Sequence, residues 1–357
     1  MMLPITFWSC QNKQNVVKIG VSLPLTGSDN SIWGKNALNG INIAIDEVNQ
    51  LNTKYKYEFI IEDSKSDKNV AVSNLNKFIS LYNIKYCVVD MVSDIVLSMA
   101  PIAEKNKVII LSPGASASAI TQAGDYVFRN WPSDVFQAET QAKVISEVLG
   151  WKRIAILSRS DSYGKGLSEE LKKDLNSNVQ IVYEQYFNED INDYKTFLYK
   201  IKKVNCDGIY LPVYPQQVSQ ILVQARQLGL TQNFIGTESF EDYNIIKQAR
   251  DASEGLLYTF PEEPLSDNKV ANTFREKYTK KYGKIGTPAD AAYDAVYMLV
   301  NSIEKGNNNV EEVKEELHNI KKYQGASGII SMDNNGDAIK PFELKIIKNG
   351  KFERYME

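Results

Sequence analysis

A small set of polar and aromatic residues stands just past predicted strands, where several side chains can reach one small molecule. Ser93 follows the apolar run 87–92 and opens a helical stretch; Gly114-Ala115-Ser116 follows 108–111 and opens the short helical run 116–121. A helix amino terminus carries unpaired N–H groups and a partial positive charge, so it attracts a carboxylate. A serine there either caps the helix or lends its hydroxyl to a ligand. Glu238, after Phe234-Ile235-Gly236-Thr237, is an acid at the same kind of position, either a plain loop charge or the partner of an ammonium group. Trp33, Tyr163 and Tyr214 each follow a strand in a loop or first helical turn, as core packing or as pocket walls. Jointly these residues offer carboxylate donors, an ammonium partner and aromatic walls, all on one strand-end rim.

Catalytic constellations find little support. The only histidine, His318, lies in the acid- and lysine-rich stretch 311–322 and reads as a solvated surface residue. Without a second histidine, Ser–His–Asp and Cys–His mechanisms have no base. No Gly-x-Gly-x-x-Gly or phosphate-loop segment follows a strand, so nucleotide cofactors are not expected. Glu62-Asp63 and Glu241-Asp242 are adjacent pairs without metal-ligand spacing, and nothing selects a carboxylate-only hydrolase. No metal or cofactor is expected. A net charge of −3, with lysines and acids interspersed, argues against a nucleic-acid face.

The elements that position those residues alternate. The 357 residues suffice for two domains with full cores, and no run of 18 apolar residues is present. Strands are expected at 17–23, 57–62, 86–90, 108–111, 126–130, 153–157, 180–186, 208–212, 234–236 and 255–260, with amphipathic helical runs such as 93–105, 135–149 and 218–228 between them. That alternation is the signature of parallel sheets flanked by helices, an α/β chain. One pattern occurs twice. Val17-Lys18-Ile19-Gly20-Val21 leads through a polar loop to Trp33-Gly34-Lys35 and a helix; Arg153-Ile154-Ala155-Ile156-Leu157 leads through another to Tyr163-Gly164-Lys165 and a helix. Two similar halves are implied, each with an aromatic at the carboxyl end of its first strand, the edge where open α/β sheets bind ligands. After Pro264 three helices follow at 267–282, 288–304 and 310–320. The chain closes in a hairpin around Asn349-Gly350, a pair that accepts the positive φ of a type I′ turn. This order fits a chain that crosses between lobes more than once. Cys87 and Cys206, at strand edges in different halves, read as buried free thiols.

The chain resembles a type I periplasmic binding protein, and specifically the leucine/isoleucine/valine-binding proteins of ABC importers. The resemblance runs from about Val17 to Tyr355. It is carried by residues 19–25 with Thr26-Gly27, Trp33-Gly34, Leu111-Ser112-Pro113-Gly114-Ala115, Tyr163-Gly164-Lys165-Gly166 and Gln224-Ala225-Arg226-Gln227-Leu228-Gly229. It implies two Rossmann-like lobes joined by a multi-strand hinge: lobe I from 17–133 plus 262–331, lobe II from 134–261 plus 332–357. It also implies a free amino acid as ligand, branched-chain or otherwise neutral. Its carboxylate would lie on Ser93 and Ala115-Ser116, its ammonium on Glu238, and its covers would be Trp33, Tyr163 and Tyr214. Ser116 stands where the family more often has threonine. Asp94 stands where small polar residues are usual; facing inward, its carboxylate would favour a polar or cationic ligand. The cysteine pair of some members is missing, so no disulfide is expected.

By the same resemblance the chain works as a monomer in the periplasm or at the cell surface, with a membrane permease and ATPase subunits as partners. The rival is a sensory module on the same fold, binding an amide, a sugar or an aromatic acid. Residues 1–16 resemble a truncated signal and lipoprotein tether: 1–9 are mostly apolar, and Cys10 opens a polar stretch as the candidate for lipidation. No basic residue starts this segment, and Phe7-Trp8-Ser9 is a poor cleavage box. A lipid on Cys10 would be the only link to a membrane.

Overall fold

The computed structural model describes residues 15–27 and 31–356; Cys10 and the segment around it lie outside the described residues. The chain opens with β1 (Val16–Leu23), α1 (Ser31–Val48), β2 (Lys56–Asp63), α2 (Lys68–Tyr82), β3 (Tyr86–Val88), α3 (Ser93–Asn106), β4 (Ile109–Ser112) and β5 (Val127–Pro132). It continues with α4 (Asp134–Lys143), β6 (Arg153–Arg159), α5 (Ser162–Asp174), β7 (Gln180–Phe187), α6 (Lys195–Lys203), β8 (Gly208–Leu211), α7 (Pro215–Gln227), β9 (Asn233–Gly236), α8 (Tyr243–Ala249) and β10 (Leu257–Pro261). Three helices follow, α9 (Lys269–Tyr282), α10 (Ala289–Lys305) and α11 (Val310–His318). Five strands end the chain: β11 (Tyr323–Gly325), β12 (Gly328–Met332), β13 (Asp337–Ile339), β14 (Phe342–Lys348) and β15 (Lys351–Arg354).

The described residues build two sheets of the same plan. The first has the order β11-β12-β13-β5-β4-β3-β1-β2 and the second β15-β14-β10-β9-β8-β6-β7. Strands β1 to β5 run parallel, as do β6 to β10. Each parallel block reverses direction of growth once, between β1 and β3 in the first and between β6 and β8 in the second. A crevice opens at such a switch point, outside the carboxyl ends of the strands. Helices cover both faces, so central strands are buried on both sides: Val21, Ser22 and Leu23 of β1, and Ile154, Ala155 and Ile156 of β6, expose nothing. Cys87 and Cys206 are buried thiols.

The repeated aromatic-Gly-Lys motif has a steric cause. A Cβ on Gly34 would lie 2.1 Å from the Pro24 carbonyl oxygen. One on Gly164 would lie 2.8 Å from the Arg159 oxygen and 2.9 Å from that of Pro212. In both lobes glycine lets the first turn of a helix press against the loop leaving the sheet, which sets the preceding aromatic at the crevice. The closing hairpin forms as its sequence implies, with Asn349 at φ 52° and Gly350 at φ 66°.

Three short strands, β11 to β13, were not legible in the sequence, and they move one boundary. The chain passes between the sheets after Pro132, after Pro261 and after Ile339. The third passage was expected after residue 331. Instead a tight turn at Asp333–Gly336 returns β13 along β12 and beside β5, so residues 332–339 belong to the first sheet. The reason is a buried ion pair. Arg129 of β5 exposes nothing, and its Nε and Nη2 each lie 2.7 Å from an oxygen of Asp337 in β13. Replacing Arg129 with Met strands a buried carboxylate and should cost about 3–5 kcal/mol of unfolding free energy. Adding Asp337→Leu should recover most of it. Urea unfolding of the single and double variants checks both.

Candidate functional site

The site forms where the two strand-end edges face each other. On the first lobe Ser93 is the first residue of α3 and Ala115–Ala117 follow β4, all buried. The Ser112 hydroxyl donates to the Asp90 carbonyl (2.6 Å) and accepts from the Ala115 N–H (3.0 Å), while the Ala117 N–H donates to Ser93 Oγ (3.2 Å). Arg129 Nη1 donates to the carbonyls of Ser116 (2.6 Å) and Ala117 (2.9 Å). The ion pair that fixes β13 therefore also fixes the backbone of this turn. With its carbonyls occupied by the guanidinium and the Ala115 and Ala117 N–H groups by serine hydroxyls, the turn has the hydroxyls of Ser93 and Ser116 to offer an anion.

On the second lobe Glu238 follows β9 and is 8% exposed. Its Oε1 lies 3.0 Å from the Tyr163 phenol oxygen, which is also 2.6 Å from the Thr237 hydroxyl; its Oε2 has no hydrogen-bond partner. Tyr163 stacks on Tyr214 with ring centroids 5.2 Å apart, and Trp33 of the first lobe meets Tyr214 edge-on at 5.8 Å. Arg159 lies 5.0 Å over the Tyr214 ring. These aromatics cover one side of the cleft, and Met91, Gly114 and Trp131 line it beside Glu238.

One site residue went unread in the sequence. Asp134, the first residue of α4, exposes nothing, and neither of its carboxylate oxygens has a hydrogen-bond partner. In the sequence it is the acid of a Ser-Asp helix start, where Ser133 caps α4 by accepting the Val135 N–H. Only the fold brings this helix start, at the first passage between lobes, beside Ser116 and Glu238. Burial pushes the Asp134 carboxyl well above its usual range and the nearby Glu238 charge pushes it further, while Ser116 and Arg129 pull it back only in part. Burial likewise raises Glu238 to about 6, with the nearby Gln137 amide and the Tyr163 hydroxyl opposing the rise. Two acids share a dry site, which penalises their joint ionisation and favours a cation between them.

Asp94 departs from expectation. Its carboxylate is engaged by protein groups: Lys68 Nζ lies 2.9 Å from one oxygen, and the other accepts the Ser162 N–H of the opposite lobe at 3.3 Å. Partial burial works the other way, but hydrogen bonds from Ser162 and Lys68 leave the carboxyl below its ordinary value. His318 differs too: it is half-buried, its ring 4.8 Å from that of Phe128, with Nδ1 3.2 Å from the Asp333 carbonyl oxygen. A larger groove of about 490 Å³ opens beyond Trp33. Its Glu241 and Glu263 pair with Lys345, and Asp242, Asp290, Arg275 and Lys284 also line it, so acids and bases are mixed there.

Comparison with known proteins identifies the family and the fold. A family model described as periplasmic binding protein matches residues 16–351. The chain belongs to the periplasmic binding protein family. It is 28% identical over 348 residues to the leucine-, isoleucine-, valine-, threonine-, and alanine-binding protein of Pseudomonas aeruginosa, covering 95% of this chain and 91% of that one. It is 30% identical over 288 residues to the Leu/Ile/Val-binding protein of Citrobacter freundii, covering 80% of this chain and 77% of that one. Among solved structures, the leucine-binding protein LivK of Thermotoga maritima superposes with a TM-score of 0.89 at 32% identity, over 95% of this chain and 98% of that one. The two-sheet architecture described above is shared with that structure.

The raised carboxyls make a signed prediction. The folded protein holds protons on Glu238 and Asp134 that the unfolded chain releases at ordinary carboxyl pKa values. On their account, ligand-free stability should rise as the pH falls from about 7 to about 5. Calorimetry across that range should give a shallower rise for Glu238→Gln than for the wild-type chain.

Proposed function

We propose that this chain is the extracytoplasmic substrate-binding protein of an ABC importer and that it carries a free neutral amino acid, branched-chain in the first instance. One observation supports this reading above the others: Asp134 and Glu238 are buried together with carboxylate oxygens that lack partners. An ammonium group supplies the missing charge and donors. The Ser93 and Ala115-Ser116 turn supplies donors for the carboxylate at the other end of the same molecule. A sugar or an aromatic acid would leave the two acids unmatched. The relatives named for leucine, isoleucine and valine point to the same ligand class.

The mechanism follows from where the groups sit. The ligand docks on the first lobe through Ser93, Ala115 and Ser116, beside Trp33. The second lobe then closes Tyr163, Tyr214 and Glu238 over it, bending at the three passages between the sheets. Closure removes water, so each charged contact strengthens. The ligand favours the closed form only through contacts that the open form lacks, which are those of the second lobe. The amino acid leaves unaltered, passed to a permease driven by ATPase subunits. The binding protein acts as a monomer and meets the membrane through that permease, or through a lipid on Cys10.

A thermal-shift panel of the twenty amino acids and their amides tests the reading, since a ligand bound only by the folded state raises its melting temperature. Branched-chain amino acids should give the largest shifts. Glu238→Ala should then weaken binding by about 3–5 kcal/mol, roughly two to four decades, because it removes a partner from a buried charge. Titration calorimetry measures it. Affinity within about threefold of wild type, a loss under roughly 1 kcal/mol, would place the ammonium elsewhere.

A further inference from the structure

We propose that Asp94 is a clasp between the closed lobes: a positioning residue that sets how long the ligand stays without touching it. This rests on the closure mechanism above. The carboxylate divides its two oxygens between the lobes. Oδ2 is held by Lys68, the first residue of α2, at 2.9 Å within its own lobe. Oδ1 accepts the N–H of Ser162, the first residue of α5 in the opposite lobe, at 3.3 Å.

That N–H belongs to a helical first turn, whose amides have no acceptor within the helix. The helix's own cap, Asp161, is committed to the Gly164 N–H at 2.9 Å. Opening the lobes therefore strips Ser162 of this acceptor and parts a carboxylate from the positive end of α5. The Asp94 side chain is 24% exposed, so water screens the contact only in part. Asp94 is also the chain neighbour of Ser93. The helical turn that closes the clasp is the turn that aims Ser93 at the ligand, which couples lobe closure to the seating of the ligand carboxylate.

Two variants remove the same contact from opposite sides. Asp94→Ala deletes the acceptor. Ser162→Pro deletes the donor at a helix position that suits proline, after Asp161, whose extended backbone (φ −83°, ψ 177°) is the conformation a residue before proline adopts. Stopped-flow fluorescence should show each variant releasing the amino acid about 3- to 10-fold faster, with little change in association. The double variant should release no faster than either single one, because all three lack one shared contact. Amide exchange by NMR should show the Ser162 N–H less protected in Asp94→Ala. Unchanged release rates or additive effects would overturn the clasp. So would an altered choice among amino acids in Asp94→Ala but not in Ser162→Pro, which would turn the carboxylate toward the ligand. If the wild-type chain binds no amino acid, the importer reading fails by itself; Ser162 exchange then judges the clasp, and unchanged protection rejects it.

Discussion

Two carboxylates buried in one crevice, neither in an ion pair among the described residues, are the constraint to which the rest of the molecule answers. Asp134 and Glu238 come from different elements, one at the first passage between lobes and one at the end of β9. Their burial raises both and their proximity raises Asp134 further. Such a pair is unfavourable in a folded protein unless something offsets it. A core built only for stability would pair them with Lys or Arg. Arg129 instead lies fully buried against Asp337 and gives its remaining donors to Ser116, Ala117 and Thr121. The protein's cation is spent on shaping the turn that would meet a carboxylate, and the acids stay available to something positive.

That division of labour ties fold to site. The Arg129–Asp337 pair draws β13 into the first sheet and thereby places the third passage after Ile339. The same guanidinium locks the carbonyls of the 116–117 turn, so this turn shows the cleft its donors. A single buried interaction thus sets a hinge boundary and the polarity of one wall. The aromatic wall depends on closeness of backbone instead. Gly34 and Gly164 let two helices approach the loops before them more closely than any side chain allows, and Trp33 and Tyr163 follow from those approaches.

The contacts across the cleft fall into two kinds. Trp33 against Tyr214 is a broad ring contact that can slide. Asp94 to Ser162 is directional, between a carboxylate and the amide at a helix start. Together they allow two lobes with separate cores to meet in one preferred register, which a site divided between them requires.

Much was open to the sequence alone. Short apolar runs alternating with period-3.6 patterning fixed two α/β halves, because a strand buried on both faces and a helix buried on one must be written in apolar residues. The doubled aromatic-Gly-Lys motif gave the equivalence of the halves, and Asn349-Gly350 gave the last turn, since few residue pairs accept positive φ twice. Ser93, Ser116 and Glu238 could be suspected because strand ends are where such sheets bind ligands. Other features depended on distant partners. Strands β11 to β13 are only three to five residues long and take their register from neighbours, and Asp337 acquires its role only beside Arg129, 208 positions away. Asp134 reads as an ordinary helix start until the crossing it sits on is folded. Asp94 is a charge of known sign whose direction was undetermined: Lys68 and Ser162 approach it only when two helices of one lobe and one of the other are in place. Local sequence determines conformation and chemical type, whereas the direction a polar side chain faces is decided by whichever partner the tertiary fold brings within hydrogen-bonding distance.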